Sequence, residues 1–337
     1  MLILLTLALF LLPGCAAERP GFGGDPPRTE ARGGLPGTRA LPPGSHEFTL
    51  RHGGRLRRYL VDVPPSAALE SGSLPVVLAF HGGGGNAAQF RNSNGLLGVS
   101  NREGFVLVHP DGTGRLRLHT WNAGSCCGSA ADEQVDDVGF VEALLDSLAL
   151  HLALDPARVY ATGHSNGGMM SYRLAEEIPE RLAAIASVGG ARLPALGRGP
   201  KVPVSVLHVH SVDDPRALYH GGMGPPFPFT NRRVEHPSVD EVLDDWRGVN
   251  GCTGPPETAE NRAVMVPGPG DERHTATLLS WEPCASGAPV LHWRMEGPGH
   301  GWPGDSVRPI RQEIIGAPTS VILAAEEVWA FFQSQRR

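Results

Sequence analysis

One hexapeptide constrains this chain more than any other stretch. Gly163-His164-Ser165-Asn166-Gly167-Gly168 stands between Arg158-Val159-Tyr160-Ala161-Thr162 and the segment Met169 to Glu177. The first flank reads as a buried strand and the second as an amphipathic helix. Glycine is abundant, at 44 of 337 residues, so GxSxG alone is a weak signal; its flanks make it specific. Glycines around Ser165 let the backbone turn sharply with no Cβ in the way. The hydroxyl then stands at the tip of a strand-to-helix turn, as in a nucleophile elbow. The amides that open the helix face the place where a negative oxygen would be held.

The remaining chain alternates short apolar runs with helical segments. Extended runs are expected at 47–50, 57–63, 74–81, 105–110, 182–188, 202–210 and 290–295, and helices at 135–154 and 320–332. Alternation of this kind implies an α/β fold with a mostly parallel central sheet and helices on both faces. Ligands in such sheets bind beyond the carboxyl ends of the strands. The polar residues of interest fall at those ends: His81, Ser165, Asp213 with Asp214, and His300.

Each has a chemical reading. His81-Gly82-Gly83-Gly84-Gly85-Asn86 is a turn through which a backbone N–H can approach an acyl oxygen. Gly83 and Asn166 are the candidate amides of a two-donor oxyanion hole. The turn lacks a GxGxxG frame and GxxxxGK[ST], which argues against a phosphate cradle. His300, in the late loop Gly297-Pro298-Gly299-His300-Gly301-Trp302-Pro303-Gly304, is the candidate general base. An orienting acid is expected between Ser165 and His300 in chain order. Asp213 and Asp214 both qualify; one meets His300 and the other caps the turn. His81, Trp121 and Trp302 are candidate walls of the substrate site. The Pro-rich stretch 221–233 reads as a rigid loop near the acid, and Asp132, Glu133 and Asp136 as a solvated helix entrance.

The net charge of −6 gives no reason to expect nucleic acid. No CxxC pair or HExxH is present, and neither a metal nor an organic cofactor is expected. Residues 1–12 are almost wholly apolar and fit a secretory signal, and Leu12-Pro13-Gly14-Cys15 fits a lipobox, so residues 1–15 read as a leader with Cys15 lipidated. The expected location is extracytoplasmic, with attachment to a membrane through Cys15; plain secretion is the alternative. Residues 16–45 read as a disordered Pro/Gly-rich spacer, and 46–337 as the folded domain. Export permits disulfides. Cys252 and Cys284 lie in one excursion between core elements and are the preferred pair, while Cys126 and Cys127 are either joined or free.

Taken together, these pieces resemble the secreted polyhydroxybutyrate depolymerases and feruloyl esterases, α/β-hydrolases related to carbohydrate esterase family 1. The resemblance rests on His81 to Asn86, Trp121 to Gly128, Val135 to Phe140, Gly163 to Met170 and Gly299 to Gly304, in that order. It implies an α/β-hydrolase fold over 46–337 and a serine carboxylic-ester hydrolase working through an acyl-enzyme. In that family the acid sits four residues after the His of His-Gly-Thr-x, which laid on His210 selects Asp214. Here Ser211-Val212 replace Gly-Thr, and Arg216-Ala217-Leu218-Tyr219 departs from the usual Val-Pro-Tyr. The implied substrates are hydroxyalkanoate oligomers or polymer; feruloyl or acetyl esters of plant polysaccharide are the alternative. A surface lipoprotein that binds a ligand without turnover is the alternative of another class.

Overall fold

Strand β3 (Leu74–Phe80) is buried at every position, and so is β4 (Val106–Pro110). Neither alternates polar with apolar, because helices cover both faces of the sheet they join. Successive side chains nevertheless enter different cores. Val76, Leu78 and Phe80 pack on one face, with Phe140, Val141 and Leu144 of α4 (Asp137–Ala149), Tyr172 of α5 (Asn166–Glu177) and Trp246 of α6 (Val239–Asn250). Val77 and Ala79 pack on the other, with Phe90 of α1 (Ala87–Ser93), Val99 of α2 (Leu96–Glu103) and Phe332 of α7 (Ala324–Phe332).

The structure, a computed structural model, describes residues 41–337 except 69–71, 116–117, 127, 194–198, 228–230, 267–271 and 306–313. The leader, Cys15, the spacer through residue 40 and Cys127 lie outside the described residues. The other strands of the main sheet are β1 (Gly44–His52), β2 (Arg55–Val63), β7 (Leu154–His164), β8 (Ala184–Val188), β9 (Ser205–Ser211), β12 (Glu257–Val266), β13 (Glu272–Trp281) and β14 (Val290–Glu296). Two small ribbons pair β5 (Thr113–Arg115) with β6 (Leu118–Thr120), and β10 (His220–Met223) with β11 (Glu235–Ser238); α3 spans Gly128–Asp132. The main sheet runs β1-β2-β4-β3-β7-β8-β9-β14-β13-β12. Its centre, from β4 to β14, is parallel, and its edges are antiparallel. This is the expected α/β-hydrolase fold.

Three details differ from expectation. Folded structure reaches back before residue 46: β1 starts at Gly44, and Leu41 N donates to His151 O. The helix expected over 135–154 ends at Ala149, and Leu154 already belongs to β7. The excursion after α6 is a hairpin, β12–β13, that extends the sheet. The Cys252–Cys284 disulfide closes its base. Cys126 is also disulfide-bonded. Among the described residues no helix is long and apolar enough to cross a membrane.

Candidate active site

Parallel strands bring their carboxyl ends to one rim. The glycine turn after β3, Ser165 after β7, Asp213 and Asp214 after β9, and His300 after β14 therefore meet there. Ser165 is the N-cap of α5, a position where serine usually bonds a helix amide. Here φ is 54° and ψ −120°, and the side chain makes no cap hydrogen bond. The hydroxyl is thereby left for other work, at the cost of a sparsely populated backbone conformation. The flanks hold it there: a Cβ on Gly163 would lie 2.4 Å from Gly167 C, and one on Gly167 would lie 2.1 Å from Phe80 O. Ser165 N donates to Val188 O at 2.8 Å.

His300 Nε2 lies 2.8 Å from Ser165 Oγ, and His300 Nδ1 lies 2.6 Å from Asp214 Oδ2. The other carboxylate oxygen, Oδ1, accepts from Arg216 N at 2.7 Å and Ala217 N at 2.8 Å. Burial alone would raise the Asp214 carboxyl, but His300 and hydrogen bonding from His210 and His300 outweigh it and hold the group far below the usual range. An ionised Asp214 cannot donate, so the Nδ1 of His300 carries the proton and Nε2 is left to accept from Ser165. Asp213 does something else: its Oδ2 accepts from Gly297 N at 2.7 Å, at the start of the His300 loop.

Gly84 N donates to His119 O and Gly85 N to Gly82 O, which sets the turn after β3. The turn lies against the elbow, since a Cβ on Gly82 would come 3.6 Å from Ser165 Cβ and one on Gly83 3.5 Å from Asn166 Cβ. Asn166 is the first residue of α5, so its amide belongs to the helix-start donors without an intrahelical acceptor. Its side chain is committed elsewhere, accepting from Trp121 N at 2.7 Å and donating to Trp121 O at 3.1 Å.

The family called Esterase PHB depolymerase matches residues 57–223. The protein named "Putative esterase NocK" of Nocardia uniformis subsp. tsuyamanensis is 30% identical over 81% of this chain and 78% of its own. The chain belongs to the PHB depolymerase family of esterases. This esterase is also 26% identical to the bifunctional acetylxylan esterase/xylanase XynS20E of Neocallimastix patriciarum, over 67% of its length, and 26% identical to feruloyl esterase B of Piromyces equi, over 70%. It spans only 28% and 41% of those two proteins. The solved structure of sOPH superposes with a TM-score of 0.50 at 17% identity, over 80% of this chain and 85% of that one, a likeness of fold.

The three residues expected to line a substrate site lie elsewhere in the esterase. Trp121 is fully buried, its Nε1 donating to His81 O and its ring standing edge-on to Phe80. Trp302 is buried on the opposite face of the sheet, with Nε1 bonded to Asn94 O and the ring against Phe90. His81 is buried beneath the glycine turn: Nδ1 bonds Gly82 O at 2.9 Å and Nε2 accepts from Gly112 N at 3.0 Å. Burial pushes its imidazole down to about 4. His81 and Trp121 stand behind the glycine turn and the elbow, whereas Trp302 packs in the other core.

Donor atoms of His81, Asp111 and His119 lie within 4.8 Å of one another. They are already spoken for. The His81 lone pair takes the Gly112 amide, and Asp111 Oδ1 takes His119 Nδ1 at 2.9 Å and Ala87 N at 3.0 Å. The cluster buttresses the turn and is not an open ligand set.

Two further residues adjoin the site: His164, which has no role in the sequence reading, and Phe227, in the loop expected near the acid. His164 Nε2 bonds His300 O at 2.6 Å. The Phe227 ring lies over the glycine turn, its Cε2 3.1 Å from where a Gly83 Cβ would be. It belongs to the Pro-rich loop expected near the acid, of which 228–230 lie outside the described residues; Arg216 Nη2 ties that loop down at Pro226 O, 2.9 Å away. A histidine inside GxSxG was the available signal for the first, and the Pro-rich run around Phe227 was the signal for the second.

Proposed function

We propose that this esterase is a serine carboxylic-ester hydrolase. The observation that carries this reading is the unbroken chain Ser165 Oγ, His300 Nε2, His300 Nδ1, Asp214 Oδ2, with contacts of 2.8 and 2.6 Å. His300 takes the serine proton as Ser165 Oγ attacks the ester carbonyl. The amides of Gly83 and Asn166 receive the developing oxyanion. His300 then protonates the departing alcohol, leaving an acyl-serine. Water, deprotonated by His300, attacks that ester, and His300 returns the proton to the leaving Ser165 Oγ as the acid is released. Asp214 keeps the imidazole in one tautomer and stabilises its charged form. Loss of one oxyanion donor is worth about 10²- to 10³-fold in turnover, and loss of the nucleophile on the order of 10⁶-fold.

The proposed substrates are hydroxyalkanoate oligomers or polymer, in keeping with the family match. A second reading, feruloyl or acetyl esters of plant polysaccharide, is favoured by the names of two relatives. Export and attachment through a lipidated Cys15 complete the proposal; release of Cys15→Ser from the membrane fraction would support them, and equal retention would oppose them. Hydrolysis of 4-nitrophenyl acetate and butyrate by the protein and by Ser165→Ala tests the chemistry. Activity that survives the substitution removes the serine mechanism, and absence of turnover by the parent leaves the ligand-binding alternative. Hydroxybutyrate oligomers against methyl ferulate then decide the substrate class.

A further inference from the structure

Behind the acid, β9 sends His208 and His210 to the same face, because strand side chains repeat every two residues. Both are buried, as is Tyr172 on α5. Tyr172 OH lies 2.9 Å from His208 Nδ1, His208 Nε2 lies 3.0 Å from His210 Nδ1, and His210 Nε2 lies 2.8 Å from Ala217 O. The same His210 Nε2 is 3.4 Å from Asp214 Oδ2. Ala217 is the residue whose amide holds Asp214 Oδ1.

The proton positions along this line follow from chemistry. A carbonyl only accepts, so His210 donates from Nε2 to Ala217 O, and in the neutral ring Nδ1 is then the acceptor. His208 must then donate from Nε2 and accept at Nδ1, which leaves Tyr172 as the donor at the far end. Every O–H and N–H along the line points toward the acid. Burial, together with the neighbouring His210 and His292, keeps His208 far below the ordinary histidine range, and burial pushes His292 down to about 3, so both stay neutral. A second branch reaches the same segment: His292 Nδ1 donates to His208 O at 3.0 Å, and His292 Nε2 lies 3.1 Å from the hydroxyl of Tyr219.

Polar rings in a core cost more than apolar ones of like size unless every donor and acceptor is used. Here the Tyr172–His208–His210 line is satisfied at each step, and it ends on the turn that holds the acid. We infer that Tyr172, His208 and His210 form a directed hydrogen-bond wire that positions the Asp214 carboxylate for His300. His210 is a positioning residue and touches no substrate. The inference rests on the serine-hydrolase reading.

Substitutions along the wire test it with 4-nitrophenyl butyrate as substrate. His210→Gln keeps a donor near Nε2 but loses the acceptor for His208. Its kcat should fall roughly 10-fold with KM unchanged, as expected for a small displacement of catalytic groups. Tyr172→Phe, which removes only the hydroxyl, should lower kcat several-fold. The double variant should lose no more than His210→Gln alone, because both changes break one line. The downfield proton resonance of the His300–Asp214 bond should move in each variant, a change that loosened packing elsewhere would not cause. Full kcat and an unmoved resonance in folded Tyr172→Phe overturn the wire, as does a double variant whose losses multiply. Should His210→Gln not fold, Tyr172→Phe alone decides between these outcomes. A Ser165→Ala control distinguishes the two failures: if it retains activity, the underlying mechanism is wrong; if it is inactive while wire variants are normal, only the wire is wrong.

Discussion

His164 bonds the backbone of His300. The imidazole Nε2 of the residue before the nucleophile lies 2.6 Å from the carbonyl oxygen of the proposed base, with the two ring centroids 5.0 Å apart. The elbow and the His loop come from strands that are not neighbours in the sheet, since β8 and β9 separate β7 from β14. This bond is a direct tie between them. Ser211 Oγ to Pro298 O at 2.6 Å and Asp213 to Gly297 N hold the same loop from the acid side. His164→Leu should therefore lower kcat on the order of 10- to 100-fold with little change in KM or melting temperature. Steady-state kinetics on a soluble ester checks this; unchanged kcat would mean the remaining ties suffice.

Two adjacent aspartates should respond very differently to the same change. Asp214→Asn removes the charge that fixes the His300 tautomer and should cost on the order of 10⁴-fold in kcat. Asp213→Asn keeps an oxygen able to accept from Gly297 N and should cost roughly 10-fold or less. Comparable losses from the two would contradict the assignment of the acid.

Glu176 offers a pH test of the fold. Its side chain is only 6% exposed, and Arg192 stands 3.4 Å away while bonding Asp245 at 2.6 Å. Burial raises the carboxyl to about 7, against the pull of Arg192. An unfolded glutamate titrates near about 4.3. Between the two values the folded chain holds a proton that the unfolded chain has released. Stability is thus full below the unfolded value and declines as pH rises through about 7, by roughly 2–4 kcal/mol. Glu176→Gln should raise the melting temperature at pH 8 and lose that advantage at pH 4. An equal difference at both pH values would refute the assignment.

The Cys252–Cys284 bridge should matter for stability and not for turnover. The cysteines are 32 positions apart, so removing the cross-link frees the denatured chain by about 3–4 kcal/mol in the chain-entropy account. The bridge sits by the entrance to β9, where Asn250 Nδ2 bonds Val204 O, at the end opposite Asp214. Replacing both cysteines by serine should lower the melting temperature under oxidising conditions and leave kcat unchanged. A large loss of kcat in folded protein would contradict this.

What could be read from the sequence depended on how much chemistry a residue's position carried. β3 and β7 were legible because central parallel strands are apolar on both faces, and the elbow because glycine is required by backbone contacts of 2.1 to 2.4 Å. The β12–β13 hairpin was missed: β12 runs along the sheet edge with its first five residues exposed, so no apolar run announces it. Trp121 and Trp302 were misplaced because proximity to a motif does not tell which way a ring points, and both point into a core. By residue type Asp213 and Asp214 are equivalent and only the family resemblance prefers Asp214; the turn directs Asp214 to His300 and Asp213 to Gly297. The histidine wire did carry a signal, two histidines spaced by two within an apolar strand, but its partner Tyr172 lies on a helix far away along the chain.

The most direct test of the account is covalent. The protein is treated with an organophosphonate that mimics the tetrahedral state, and intact mass and peptide mapping locate the adduct. The account predicts one phosphonyl group per chain on Ser165 Oγ, loss of esterase activity in step with labelling, and no adduct in Ser165→Ala. Ester hydrolysis that persists in a fully labelled protein, or an adduct on any other residue that accompanies inactivation, would contradict it.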